Sequence, residues 1–261
     1  MSKYTDIEFL DAAKNILLVK DNETSEIYVK KYISDRQRKI YAHIRNRGYE
    51  GVPKVIDIYP EQDYFVLIEE YIDGQSLQQM LDKGITFPRK YMLTFARFFV
   101  KTLSPIHDDG LIHRDIKPAN IICRGDELYL IDFGISRFYN KNQGTDTELL
   151  GTRDYAAPEQ FGFGQSTSRT DIYAIGMVML AMLFGDSESS ATNDDDIVKT
   201  FILNSGFLRI IERCTETDPE KRYPSVKSLF WAVFRAVYWP FFSKPFFVIY
   251  ALILAFIAIH L

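Results

Sequence analysis

Between residues 15 and 70 short apolar runs alternate with polar turns at a spacing too tight for helices. Asn15-Ile-Leu-Leu-Val-Lys20 and Glu26-Ile-Tyr-Val-Lys-Lys-Tyr-Ile33 flank the turn-rich Asp21-Asn-Glu-Thr-Ser25, which predicts a β-hairpin. A polar helix is expected at about 34–46. Two more strands, Lys54-Val-Ile-Asp-Ile-Tyr59 and Tyr64-Phe-Val-Leu-Ile-Glu69, are joined by the turn Pro60-Glu-Gln-Asp63. Beyond Gly74 the apolar period becomes helical, in Arg89 to His107 and again in Asp171 to Phe184. A small sheet-rich lobe therefore precedes a larger helical one, an α+β arrangement.

The last residues break this pattern. From Pro245 to Leu261 no acidic or basic side chain occurs except His260. Extended back through Trp239, Phe241 and Phe242, the segment is long enough to cross a bilayer as a helix. Trp239, Tyr238 and Tyr250 suit an interfacial belt, and Lys221, Arg222, Lys227, Arg235 and Lys244 precede the span with nothing basic after it. This predicts a C-terminal anchor with the folded part on the cytoplasmic side. Met1 to Asn15 mixes Lys3, Asp6, Glu8, Asp11 and Lys14 among apolar residues, so no secretory signal is expected there.

Composition narrows the class. With 47% hydrophobic residues in 261, the chain can bury a real core and is neither disordered nor a disulfide scaffold. A net charge of −4 and a pI near 5.7 argue against nucleic acid as a partner. Cys123 and Cys214 have no metal-site spacing and read as packing thiols in a reducing compartment.

The chemistry-bearing stretch is His113-Arg-Asp-Ile-Lys-Pro-Ala-Asn120, then Ile121-Ile-Cys123, then Leu128-Tyr-Leu-Ile-Asp-Phe-Gly134. An Asp positioned by His and Arg, a Lys two residues on, an Asn five residues on and a second Asp closing a strand form a phosphoryl-transfer constellation. Such chemistry needs an in-line hydroxyl, neutralised phosphate oxygens and a divalent metal. Here the sequence resembles the eukaryotic-type serine/threonine protein kinases, whose signatures include H-R-D-x-x-x-x-N and D-F-G. Gly151-Thr-Arg-Asp-Tyr-Ala-Ala-Pro-Glu159 is similar to the segment that closes their activation loop.

The resemblance implies a two-lobed kinase fold, with a small lobe over 1–73, a large lobe over 74–236 and the anchor over 237–261. It implies ATP with Mg²⁺ or Mn²⁺ as cofactors. Asp115 would accept or orient the substrate hydroxyl proton, and Lys117 would neutralise the transferring phosphoryl. Asn120 and Asp132 would hold metal. Ile16, Val29, Ile122 and Ile131 would sandwich adenine, and Glu70 and Ile72 would meet it through backbone groups. Glu159 would pair with Arg222, and Asp171 would brace the catalytic loop. Arg114 would meet an activation-loop phosphate, with Thr145 and Thr147 as candidate sites.

Three departures stand out. No glycine occurs before Gly48, so the family's glycine lid is replaced around Phe9-Leu-Asp-Ala-Ala-Lys14, where Asp11 would repel phosphate and Lys14 partly compensate. The phosphate-anchoring lysine is Lys31 or Lys30, with Lys31 favoured by the alignment of Thr24 to Lys31. No Glu occurs between Ile27 and Tyr49, and the position of the usual helix acid falls on Gln37; Glu69, at the back of the pocket, is the candidate substitute partner for Lys31.

The leading expectation is a membrane-anchored protein kinase acting on Ser/Thr hydroxyls of proteins, autophosphorylation included. A nucleotide-sensing pseudokinase scaffold is the alternative. Action on a small molecule or lipid is a third, since seven basic residues lie within 27–49. Homodimerisation stays open, the tail having no G-x-x-x-G.

Overall fold

The computed structural model describes residues 3–139, 154–162, 164–185 and 206–238. Its first element is a strand the periodicity did not indicate, β1 (Tyr4–Asp11). It pairs antiparallel with β2 (Ile16–Asp21), with register breaks between Asp6 and Glu8 and between Phe9 and Asp11. These bulges, and the outward exposure of Ile7, Phe9 and Leu10, destroy the in-out alternation by which a strand is recognised. The expected hairpin forms between β2 and β3 (Ile27–Ile33). Its turn is nucleated by Asp21, whose Oδ1 accepts from the amides of Glu23 (2.8 Å) and Thr24 (3.1 Å).

The helix α1 (Asp35–Arg47) starts at a reciprocal cap, Ser34 with Gln37, and stops at Gly48 in the left-handed region, φ 59°. β4 (Val55–Glu61) and β5 (Tyr64–Glu70) complete a five-stranded sheet ordered β1-β2-β3-β5-β4. Alternation splits β3 and β5 into two faces. Val29, Lys31, Ile33, Leu67 and Glu69 share one with the buried Ile40, Tyr41 and Ile44 of α1; Val66 and Ile68 join Leu17 and Val19 on the other.

Helices dominate the rest: α2 (Leu77–Asp82), α3 (Arg89–Asp108), α4 (Ser168–Phe184), α5 (206–214) and α6 (Val226–Tyr238). α4 is apolar on nearly every side, as a helix at the centre of a lobe must be. Ile172, Ile175, Val178 and Met179 are buried within it, and a Cβ on Gly176 would come within 2.5 Å of the Cys214 side chain. The short strands β6 (Gln75–Ser76), β8 (Ile121–Arg124) and β9 (Glu127–Leu130) form one small sheet, and β7 (Leu111–Ile112) and β10 (Arg137–Phe138) another.

Burial raises both thiols, that of Cys123 to about 11 and that of Cys214 further, which disfavours the thiolate in each. Among the described residues no helix is long and apolar enough to cross a membrane. The expected span lies outside them beyond Tyr238, as do Thr145, Thr147, Gly151 and Thr152.

Candidate active site

The loop after β7 is built around one carboxylate. Asp171, fully buried at the start of α4, accepts from the amides of His113 (3.0 Å) and Arg114 (2.9 Å) and lies 2.7 Å from His107 Nε2. These bonds hold Arg114 at a φ of 72°, which a side-chain-bearing residue adopts only under constraint. Burial pushes the Asp171 carboxyl up, but the bond and charge of His107, the charge of His113 and the Arg114 amide outweigh it and hold the group below the usual carboxylate range.

The loop so braced presents Asp115. Its Oδ2 receives Lys117 Nζ at 2.8 Å and Asn120 Nδ2 at 3.0 Å, while the same Asn120 amide bonds the Asp115 carbonyl at 2.8 Å. The residue spacing makes this closure possible, because Pro118–Asn120 forms a single 3₁₀ turn that folds Asn120 back over Asp115. The Asn120 carbonyl then accepts from the Ile131 amide (2.9 Å), which brings the residue before Asp132 alongside.

Asp132 has φ 66°, its Oδ1 accepting from the Gly134 amide (3.2 Å) and its Oδ2 standing 3.7 Å from Lys14 Nζ. A Cβ on Gly134 would come within 2.9 Å of Asp132 Oδ1, so any larger residue there would push the Asp132 carboxylate from its place. Burial works to raise the Asp132 carboxyl, yet Lys31, Lys14 and the Gly134 amide hold it below its usual range.

Of the two lysines on β3, Lys31 faces the cleft. It forms a buried ion pair with Glu69. Burial alone would lower the lysine; Glu69, Tyr41 and Asp132 raise it well above its ordinary value. Lys30 points to the opposite face, 3.2 Å from Asp6 and over the Tyr32 ring.

The helix position without an acid serves another purpose. Gln37 Nε2 donates to the Gly134 carbonyl (2.9 Å), and one turn later the Tyr41 hydroxyl accepts from the Phe133 amide (3.2 Å). Tyr41 was not singled out in the sequence, although its i+4 spacing from Gln37 puts both on one helix face. At the far end of α1, Arg47 makes a bidentate pair with Asp109 (2.6 and 2.8 Å), and Tyr49 bonds the same carboxylate.

Of the expected adenine walls, Val29 is buried and Ile16, Ile122 and Ile131 are half-buried; Ile72, expected to meet the base through its backbone, is buried. The Glu70 side chain turns away from them, accepting from the Lys54 amide (3.2 Å) and standing 4.0 Å from Arg124. Gly74 packs so tightly on β8 that a Cβ would lie 2.4 Å from the Cys123 carbonyl, pinning the crossing between the lobes.

Glu159 and Arg222 meet as expected, in a buried bidentate pair at 2.7 and 2.9 Å, with Thr170 donating to Glu159 at 2.7 Å. Gln160, unremarked in the sequence, donates to the Arg114 carbonyl (2.8 Å). The Arg114 guanidinium donates to Ser166 Oγ at 3.1 Å.

A carboxylate kept charged, with an amide-bearing residue beside it, is an oxygen donor set suited to Mg²⁺ or Mn²⁺. Among the described residues no group of three or more His, Cys, Asp or Glu gathers for a metal; the oxygen donors at this place are the Asp132 carboxylate and the Asn120 side-chain amide. Lys31, held charged, fits the phosphates, and the apolar walls fit a flat base.

Residues 12–235 match the model of the family described as "Protein kinase domain". The chain is 31% identical over 215 residues to serine/threonine-protein kinase B of Synechocystis sp., covering 76% of this chain and 37% of that protein. It is 30% identical over 199 residues to serine/threonine-protein kinase D of the same organism, covering 70% of this chain and 38% of that protein. To the calcium/calmodulin-dependent protein kinase type I of Schizosaccharomyces pombe it is 26% identical over 238 residues, with 83% and 68% covered. It thus spans well under half the length of both Synechocystis relatives. With its braced Asp115 loop, its Asp132 and its buried Lys31, this chain belongs to the protein kinase domain family.

Proposed function

We propose that the chain is an ATP-dependent serine/threonine protein kinase. The observation that carries the reading is the single cluster at Asp115, Lys117 and Asn120, joined through Ile131 to an ionised Asp132. The side-chain contacts among Asp115, Lys117 and Asn120 lie outside the β8–β9 ladder, whereas phosphoryl transfer calls for a positioned base with a cation and metal donors beside it. The relatives' names, serine/threonine-protein kinases B and D, favour protein hydroxyls as acceptors.

ATP with its divalent cation supplies the phosphoryl group and most of the charge neutralisation when bound. Asp115 Oδ2 orients the acceptor hydroxyl and takes its proton. Lys117, on that same oxygen, is placed to follow negative charge onto the transferring group. Asn120 fixes the Asp115 rotamer and, with Asp132, offers oxygen donors to the cation. Lys31 holds the phosphates, with Glu69 fixing its position, and Val29, Ile72, Ile16, Ile122 and Ile131 exclude water around the base.

Residues 237–261 serve, on this reading, as a membrane anchor that keeps the catalytic lobes over 1–73 and 74–236 at the cytoplasmic face. Thr145 and Thr147 are the autophosphorylation sites on this reading, with Arg114 the cation that would receive their phosphate. A nucleotide-sensing scaffold without turnover has the glycine-free lid in its favour. The test is phosphate transfer from labelled ATP with Mg²⁺ or Mn²⁺ by the full chain, to itself and to a generic basic protein, beside Asp115→Asn. Incorporation that vanishes in Asp115→Asn supports the kinase; nucleotide binding without incorporation supports the scaffold.

A further inference from the structure

The hairpin β1–β2 covers the cleft without glycine, and its turn shows how. Asn15 takes the left-handed conformation, φ 53°, that a glycine would otherwise supply. The Asp11 carboxylate, expected from sequence to repel phosphate, is tied into the turn: its Oδ1 accepts from the Lys14 amide at 3.1 Å. This turn sends the Lys14 side chain across the cleft to Asp132 Oδ2, 3.7 Å away, while Asp132 Oδ1 is engaged by the Gly134 amide. Lys14 keeps about half its side chain in solvent (53%), so it is tethered at the lid tip and free to reorient.

We propose that Lys14 is the lid's phosphate ligand, and that it and a divalent cation are alternative partners of the Asp132 carboxylate. A glycine lid binds phosphate through backbone amides. Here side chains bearing Cβ atoms line the turn, and one flexible ammonium takes over that work. A cation on Asp132 Oδ2 repels Lys14 by like charge, and the nearest anion able to receive the lysine is then the phosphate chain that the cation itself binds. Metal therefore weakens the resting contact, and phosphate captures the released side chain. Lys31, buried and paired with Glu69, cannot exchange in this way. The assignment rests on the nucleotide-binding reading above.

Opposite signs in two binding measurements on the full chain test it. Mn²⁺ binding without nucleotide is followed by electron paramagnetic resonance, and binding of adenosine and of a non-hydrolysable ATP analogue with Mg²⁺ by calorimetry. Lys14→Ala is expected to bind Mn²⁺ about threefold tighter, to bind the analogue about tenfold more weakly, and to bind adenosine unchanged; Lys14→Arg keeps the unsubstituted values for the analogue. Equal weakening of adenosine and analogue, or no change in the analogue, overturns the assignment alone. An unsubstituted chain that binds neither adenosine nor the analogue overturns the kinase reading and this assignment with it.

Discussion

Lys31 and Glu69 stand diagonally across two neighbouring strands: Lys31 is opposite Leu67 and Val29 is opposite Glu69, so the ion pair is contained within one sheet. An acid on a helix would tie the lysine to that helix's position. Here the lysine is oriented by the strand beside it, and α1 is fastened elsewhere, by Gln37 to Gly134 and by Tyr41 to Phe133. Lys31 and the helix are held by separate sets of bonds.

Removing one partner of this pair leaves a buried charge. Glu69→Leu is expected to lose about 3 kcal/mol of stability in urea denaturation, whereas Lys31→Met with Glu69→Leu recovers most of it, because two apolar side chains replace two buried ions. Phosphoryl transfer stays abolished in the double variant, separating the pair's stability role from its binding role. A double variant as unstable as the single one contradicts the assignment.

Tyr41→Phe removes the acceptor of the Phe133 amide. The expected cost is about 1 kcal/mol. Amide hydrogen exchange at Phe133 should accelerate by about fivefold or more, while exchange within β3 and β5 is unchanged. Protection at Phe133 equal to that of the unsubstituted protein would show that the bond carries no load.

Glu159 and Arg222 form a buried fork-to-fork pair, so its geometry matters as well as its charge. Arg222→Lys keeps the charge but cannot make two parallel bonds and also reach the Glu216 carbonyl, which Arg222 Nε bonds at 2.8 Å. A loss of about 3 kcal/mol is expected, with nucleotide affinity retained in the folded fraction. Thermal melting together with nucleotide titration checks both halves.

Asp171 gives a sign to acid stability. Its folded carboxyl lies below the ordinary 3.8, so its contribution is complete above that value and is lost as pH falls through the lower folded one. Asp171→Asn should flatten the stability curve below about pH 4 and leave two loop amides with weaker acceptors at every pH. Unfolding monitored between about pH 2 and 7 tests this, and a curve parallel to the unsubstituted one would contradict it.

What could be read in advance divides by range. Alternation in β3 placed Lys30 and Lys31 on opposite faces, and the pattern around Val29 selected Lys31. The Asp115 to Asn120 spacing is local, closed by one 3₁₀ turn, and was legible for that reason. β1 was not, because its bulges and the exposed Phe9 and Leu10 erase its period. Contacts such as Gln37 with Gly134, Lys14 with Asp132 or Arg47 with Asp109 depend on how the chain is threaded between distant elements, which no local pattern encodes.

The separation of lysine and helix is tested most directly by ATP affinity in two single variants of the full chain, Glu69→Gln and Gln37→Ala, measured by calorimetry with Mg²⁺. Glu69→Gln is expected to weaken ATP by about tenfold or more, while Gln37→Ala changes it by less than about threefold. The reverse order, with Gln37→Ala losing ATP and Glu69→Gln keeping it, would contradict the placement of the lysine's partner on β5.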